Sequence, residues 1–126
     1  MRMLIYLVLL LCLLTCGCGK SKSTDELIQD LKSPQEGDRL KAVRLLPQRT
    51  RDAAKVVPAL MEALKDKEGD IRLSAAIGLG YFGEQAKDAI PVLQQAAQRD
   101  RNPRVRKQAG IALSRIDPAH FPTPQK

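Results

Sequence analysis

A stretch of about thirty-three residues is written three times in this chain, running Leu27 to Leu46, Val57 to Leu79 and Ile90 to Leu113. Each copy holds an apolar helical pattern, a polar break, then an acid or small residue, an Arg, an Ala and a Leu at matching offsets. A unit of this length is one helix–turn–helix, which cannot bury its apolar face alone. Neighbouring copies must therefore stack, and three are about the minimum for stability. The expected fold is all-α: a short solenoid of about three helix pairs.

The helix boundaries can be placed from caps and breakers. Ser23 or Thr24 caps the first helix, with Asp25 and Glu26 in its first turn and Leu27, Ile28 and Leu31 on one stripe, until Ser33-Pro34 ends it. Glu36-Gly37-Asp38 opens a helix that buries Leu40, Val43 and Leu46 and stops at Pro47. In the second copy Val56, Val57, Leu60, Met61 and Leu64 form one stripe, with Pro58 accommodated by a helix start near Lys55. Ile71, Ala75, Gly78 and Leu79 form the next stripe, closed by Gly80 to Gly83. The third copy repeats the scheme with Ile90, Pro91, Leu93, Ala96 and Ala97, then Val105, Ala109, Ala112 and Leu113.

At these residues the chain resembles the short HEAT-like repeats of the phycobilisome-lyase type. The matching positions are Pro58, Asp66, Ile71-Arg72, Ala75-Ala76 and Leu79-Gly80 in the second copy. In the third they are Pro91, Asp100, Val105-Arg106, Ala109-Gly110 and Leu113, with Ser114 where Gly is the rule and one extra residue between Pro91 and Asp100. The resemblance covers most of residues 25–116 and implies a right-handed, armadillo-type solenoid whose second helices line the concave side. It also implies an Asp–Arg ladder at the turns, with Ser33, Asp66 and Asp100 at one repeat position and Arg39, Arg72 and Arg106 at another. Since Ser33 is no carboxylate, Arg39 is expected to be the free arginine.

The N-terminus suggests where the array works. Met1-Arg2-Met3 is a short basic start, and Leu4 to Leu14 is an apolar run of signal-core length, too short to cross a bilayer as a helix. It ends in Thr15-Cys16-Gly17-Cys18-Gly19-Lys20, which resembles the lipobox of bacterial lipoproteins. That resemblance implies a cleaved signal peptide over residues 1–17 and a palmitate-type diacyl anchor on Cys18, which follows the small Gly17. Cys16 follows the bulkier Thr15 and fits less well; an ordinary cleaved signal peptide is the alternative. Residues 18–24 then form the lipidated Cys and a polar tether whose Lys20 and Lys22 can meet anionic head groups, and residues 117–126 form a Pro-rich tail. The resulting location is the cell membrane or outer membrane, lipid-anchored and facing the periplasm or exterior.

Chemistry is scarce. All three cysteines, Cys12, Cys16 and Cys18, precede the repeats, so the array has no disulfide and no thiolate for zinc or nucleophilic attack. With 44% hydrophobic residues but 3% aromatic and no Trp, close helix packing is better supplied than a deep cofactor pocket. The single histidine, His120, stands in the tail without an evident scaffold for a base. Asp66, Glu68 and Asp70 alternate like part of a calcium loop but lack its Gly and distal Glu. The expectation is a protein that is not an enzyme and holds no cofactor or metal.

Candidate contact residues are accordingly surface ones. Arg44, Ile77 and Ile111 share one register on the second helices, with Tyr81 one turn beyond Ile77, an apolar strip that suits either a partner peptide or helix or contact between adjacent repeats. The turn Arg99 to Lys107 holds a basic cluster, in which Arg101, Arg104 and Lys107 stand beside Arg106. The net charge of +7 favours anionic partners, but nucleic acid is a poor partner for an exported chain whose basic cluster lacks interleaved aromatics. The expected function is a membrane-anchored protein–protein interaction module of the bacterial envelope. A structural or accessory subunit of a larger assembly is the alternative; a lyase-like chromophore-attachment factor rests on the resemblance alone.

Overall fold

The computed structural model describes residues 21–123, so the signal segment and Cys18 lie outside the described residues. Six α-helices follow one another: α1 Thr24–Asp30, α2 Glu36–Leu45, α3 Ala53–Ala63, α4 Gly69–Phe82, α5 Ile90–Arg99 and α6 Pro103–Ile116. Short 3-10 turns occupy Leu46–Gln48, Thr50–Asp52 and Gly83–Ala89, and no strand occurs among the described residues. The helices pair as α1/α2, α3/α4 and α5/α6, giving the expected all-α solenoid of three repeats.

Local signals fix most boundaries. Ser23 caps α1 through a reciprocal box: its Oγ accepts from Glu26 N–H at 3.2 Å while Glu26 Oε2 accepts from Ser23 N–H at 2.7 Å. Asn102 caps α6 by accepting from Arg104 N–H at 2.9 Å, with Pro103 at the first helical position. Gly83 ends α4 at φ 51°, a left-handed value that disfavours any side chain. α3 begins at Ala53, two residues before the predicted start, so Pro58 lies inside it. Pro58 and Ala54, whose carbonyl loses its usual donor, are both exposed, which leaves that carbonyl to water.

The core is aliphatic throughout. Leu27, Val43, Leu46, Val56, Leu60, Ile71, Leu79, Leu93, Val105 and Ile116 are essentially fully buried, and Ala75, Ala76, Ala109 and Ala112 fill the spaces between helices. Small residues set the spacing of the second helices. A Cβ on Gly78 would sit 2.8 Å from Pro47 Cγ and 3.0 Å from Leu60 Cδ1, and one on Gly80 would sit 3.3 Å from Ala112 Cα. The second helices α2, α4 and α6 thus stack closely, whereas α3 and α5 meet chiefly through the intervening Gly83–Ala89 turn. Close stacking on one side and splaying on the other put the second helices on the inner, concave layer.

Both ends of the array differ from expectation. Thr24 is a buried helical residue whose Oγ1 donates to Asp52, so it belongs to the domain and not to the tether. Lys22 is held as well: its carbonyl accepts from Arg49 Nη2 at 2.8 Å and its Nζ pairs with Asp30 at 2.6 Å, so it too is tied to the domain. At the other end the chain folds back after α6, with Phe121 N–H donating to Asp117 O at 2.9 Å and the Phe121 ring packed on the core. His120 Nδ1 lies 2.8 Å from Asp117 Oδ2.

Candidate functional site

The turns are tied by arginines that reach forward. Arg39 donates from Nε and Nη2 to the two carboxylate oxygens of Asp66 at 2.8 and 3.3 Å, and Arg72 does the same to Asp100 at 2.8 and 3.0 Å. The remaining nitrogen of each grips its own turn: Arg39 Nη1 donates to Ser33 O and Pro34 O, and Arg72 Nη1 to Asp66 O and Lys67 O. Both arginines are only 6% exposed. Burial alone would raise the Asp66 carboxyl, but the Arg39 guanidinium and the Glu68 N–H outweigh it and hold it below the usual value. For Asp100 the Arg72 hydrogen bond dominates over burial, and the net displacement is again downward.

This geometry overturns the expectation that Arg39 is free. The acid that serves an arginine comes from the next repeat, so the missing carboxylate at Ser33 releases nothing. Among the described residues no repeat precedes Ser33 to present an arginine to it, and it retains the other duty of the position. Its Oγ accepts from Gln35 N–H at 3.2 Å, as Asp66 Oδ1 accepts from Glu68 N–H at 2.9 Å and Asp100 Oδ1 from Asn102 N–H at 2.8 Å. Of the three ladder arginines, the one without an ion pair among the described residues is Arg106, at the far end, where Nη1 donates to Asp100 O at 2.7 Å.

The basic turn separates into parts. Arg101 donates to Lys67 O in the preceding turn, and Arg104 Nη1 lies 4.0 Å from Asp70 Oδ1 with both side chains well exposed. These two therefore lean toward the second repeat. Lys107 is exposed and, with Arg106, lines the C-terminal end of the array.

On the concave layer Arg44, Ile77, Tyr81 and Arg104 come together around one open cleft between α2 and α4, of about 630 Å³. Its floor adds Val43, Pro47, Leu73 and Gly78, which the register of exposed positions did not single out. Tyr81 is 67% exposed, and the Arg115 guanidinium lies 5.8 Å from its ring centre, so α6 supports the ring from one side. Ile77 is half-buried. Ile111 is in register with Ile77 but lies one repeat further on, and it lines a different cleft at the C-terminal end.

A family model described as HEAT repeats matches residues 24–114 of the 126 in the chain. The chain belongs to the HEAT-repeat family. No curated protein matches it. HEAT repeats generally mediate protein–protein interaction, so the exposed side chains of this array are read first as protein-contacting ones. Within the HEAT framework the Asp66 and Asp100 positions are consumed by stacking, and the clefts that hold the candidate contact residues are the one between α2 and α4 and the one at the end of the third repeat. The Asp117–His120 pair joins that end and escaped sequence reasoning, since only the fold-back of the tail brings the two together. Among the described residues no helix is long and apolar enough to cross a membrane.

Proposed function

We propose that this HEAT-repeat protein is a tethered adaptor of the bacterial cell envelope, anchored by lipid on Cys18, that holds a protein partner in the cleft between α2 and α4. The observation that carries the reading is the pairing of exposed Tyr81 and half-buried Ile77 with Arg44 and Arg104 on the rims of one cleft. An apolar side chain of the partner would cover Ile77 and Tyr81, and acidic residues flanking it would meet the two arginines. Aromatic and arginine side chains of this kind contribute most per residue to protein interfaces. The anchor is supported by the lipobox-like run up to Cys18, and such an anchor would set the compartment in which the partner is met.

Crosslinking in intact cells, followed by mass spectrometry of the partner, tests the reading when paired with the double variant Ile77→Glu, Tyr81→Ala. Loss of a specific crosslinked partner at unchanged helicity is the expected result. Unchanged capture would refute the cleft, and a single stoichiometric partner bound over the whole surface would favour an accessory subunit instead.

A further inference from the structure

Among the described residues the stacking face at the C-terminal end of the array is covered by no further repeat, and its chemistry can be read from the two interfaces that are filled. In repeat register Arg39, Arg72 and Arg106 are equivalent, as are Val43, Ala76 and Gly110. Val43 and Ala76 are fully buried and both earlier arginines are covered, whereas Gly110 is half-exposed and a Cβ on it would meet nothing within 4 Å. Arg106, Lys107, Gly110 and Ile111 instead line an open cleft of about 830 Å³, whose opposite wall is His120 and Phe121 of the folded-back tail. None of the residues lining this cleft is acidic.

The guanidinium in it is already oriented. Arg106 Nη1 donates to Asp100 O at 2.7 Å, as Arg72 Nη1 donates to Asp66 O at 2.8 Å and Arg39 Nη1 to Ser33 O at 3.0 Å. In the two earlier copies this grip leaves Nε and Nη2 to a bidentate aspartate. A planar fork fixed at one corner favours a carboxylate over a point charge.

We propose that this end face is a docking site for an acidic protein segment, one that presents an aspartate carboxylate to Arg106 and lays an apolar side chain on Ile111 and Phe121. The occupant has the chemistry of the next repeat's turn, supplied by a partner. A second copy of this chain stacked head to tail does not satisfy it, because the first described repeat offers Ser33 where the aspartate is needed. The site is independent of the α2–α4 cleft and of the anchor.

The test attaches to the intact chain the segment that fills the equivalent interface on Arg72. A copy of residues 84–116 is joined by a flexible linker after residue 126, in one version unchanged and in another with its aspartate equivalent to Asp100 changed to Asn; the tether supplies a high effective concentration. Two readouts are followed, the Arg106 Nε–H signal by NMR and hydrogen-exchange protection of the added turn. The Asp version is expected to dock and to slow exchange of the Arg106 signal. The Asn version, and Arg106→Gln in the Asp version, are expected to lower the docked-to-free ratio at least about tenfold. Equal docking of the Asp and Asn versions, or docking in neither, overturns the proposal. Binding of the untethered chain to phosphatidylglycerol vesicles is measured alongside. An Arg106→Gln effect on vesicles without docking of the copy would assign the fork to lipid phosphate and equally overturn it.

Discussion

Arg39 is bonded to Asp66, a residue of the following repeat, through both carboxylate oxygens, and the same forward reach joins Arg72 to Asp100. The direction of this reach decides which of the repeated positions are occupied and which are open. A ladder whose rungs point forward leaves an arginine at its C-terminal side, and among the described residues that arginine is Arg106.

Removing one partner of a filled rung leaves the other charge buried without compensation. Arg72→Ala is therefore expected to lower the unfolding free energy by about 3 kcal/mol. Arg106→Ala, which breaks no ion pair, is expected to cost about 1 kcal/mol or less. Urea unfolding followed by circular dichroism measures both. Equal losses would mean that the rungs do not act as buried pairs.

Acid should loosen the array in a defined window. The Asp66 and Asp100 carboxyls are held below their ordinary value in the folded state, so the unfolded chain takes up protons first as pH falls. Their contribution is fully present above the unfolded value of about 3.9 and disappears as pH falls through the lower folded values. Stability should thus be little changed by these groups from about pH 7 to 5 and decline below that. In Asp100→Asn the decline should be shallower, and parallel stability curves for the variant and the parent chain between pH 5 and 2 would contradict the assignment.

How much of this was legible in the sequence depended on whether a residue's role was local or set by its neighbour across the stack. The helix pairs, the Ser23 cap, the Pro47 stop and the Gly83 exit follow from periodicity and from residues that act on their own turn. The rung partner of Arg39 is 27 residues away and belongs to another repeat, so comparing offsets within one copy assigned the open arginine to the wrong end. Arg44, Ile77 and Tyr81 were legible as one cleft because helical register carries them to one face. Ile111 shares that register but faces the end of the array, where register alone cannot say that no further repeat follows among the described residues. The fold-back of the tail had no periodic signal, since it rests on Asp117 accepting backbone and side-chain contacts from residues three and four positions later.

Two glycines of the second helices should respond oppositely to the same change. Gly78→Ala drives a Cβ to 2.8 Å from the Pro47 ring and 3.0 Å from Leu60 Cδ1, contacts that a shift of the Leu46–Gln48 turn and of α3 against α4 must relieve. A loss of about 1–3 kcal/mol is expected. Gly110→Ala meets nothing within 4 Å and removes a helix-interior glycine, so a gain of up to about 1 kcal/mol is expected. Thermal melts of the two variants check the contrast. A destabilising Gly110→Ala would show that the end face is already covered.

The proposed anchor gains a geometric consequence from the pinned Lys22. With its carbonyl bonded to Arg49, only the few residues from Cys18 to Lys22 are left to act as tether, a reach of about 14 Å at full extension. The first repeat would then be held close to the bilayer surface, and acyl chains burying many CH₂ groups at about 0.8 kcal/mol each would keep it there. Labelling with radioactive palmitate should be lost in Cys18→Ala and kept in Cys16→Ala, and the Cys18→Ala protein should move from the membrane to the soluble fraction if its signal is still processed. Label that persists in Cys18→Ala would transfer the anchor to Cys16, lengthening the tether by two residues and leaving the array freer to turn its cleft toward a partner.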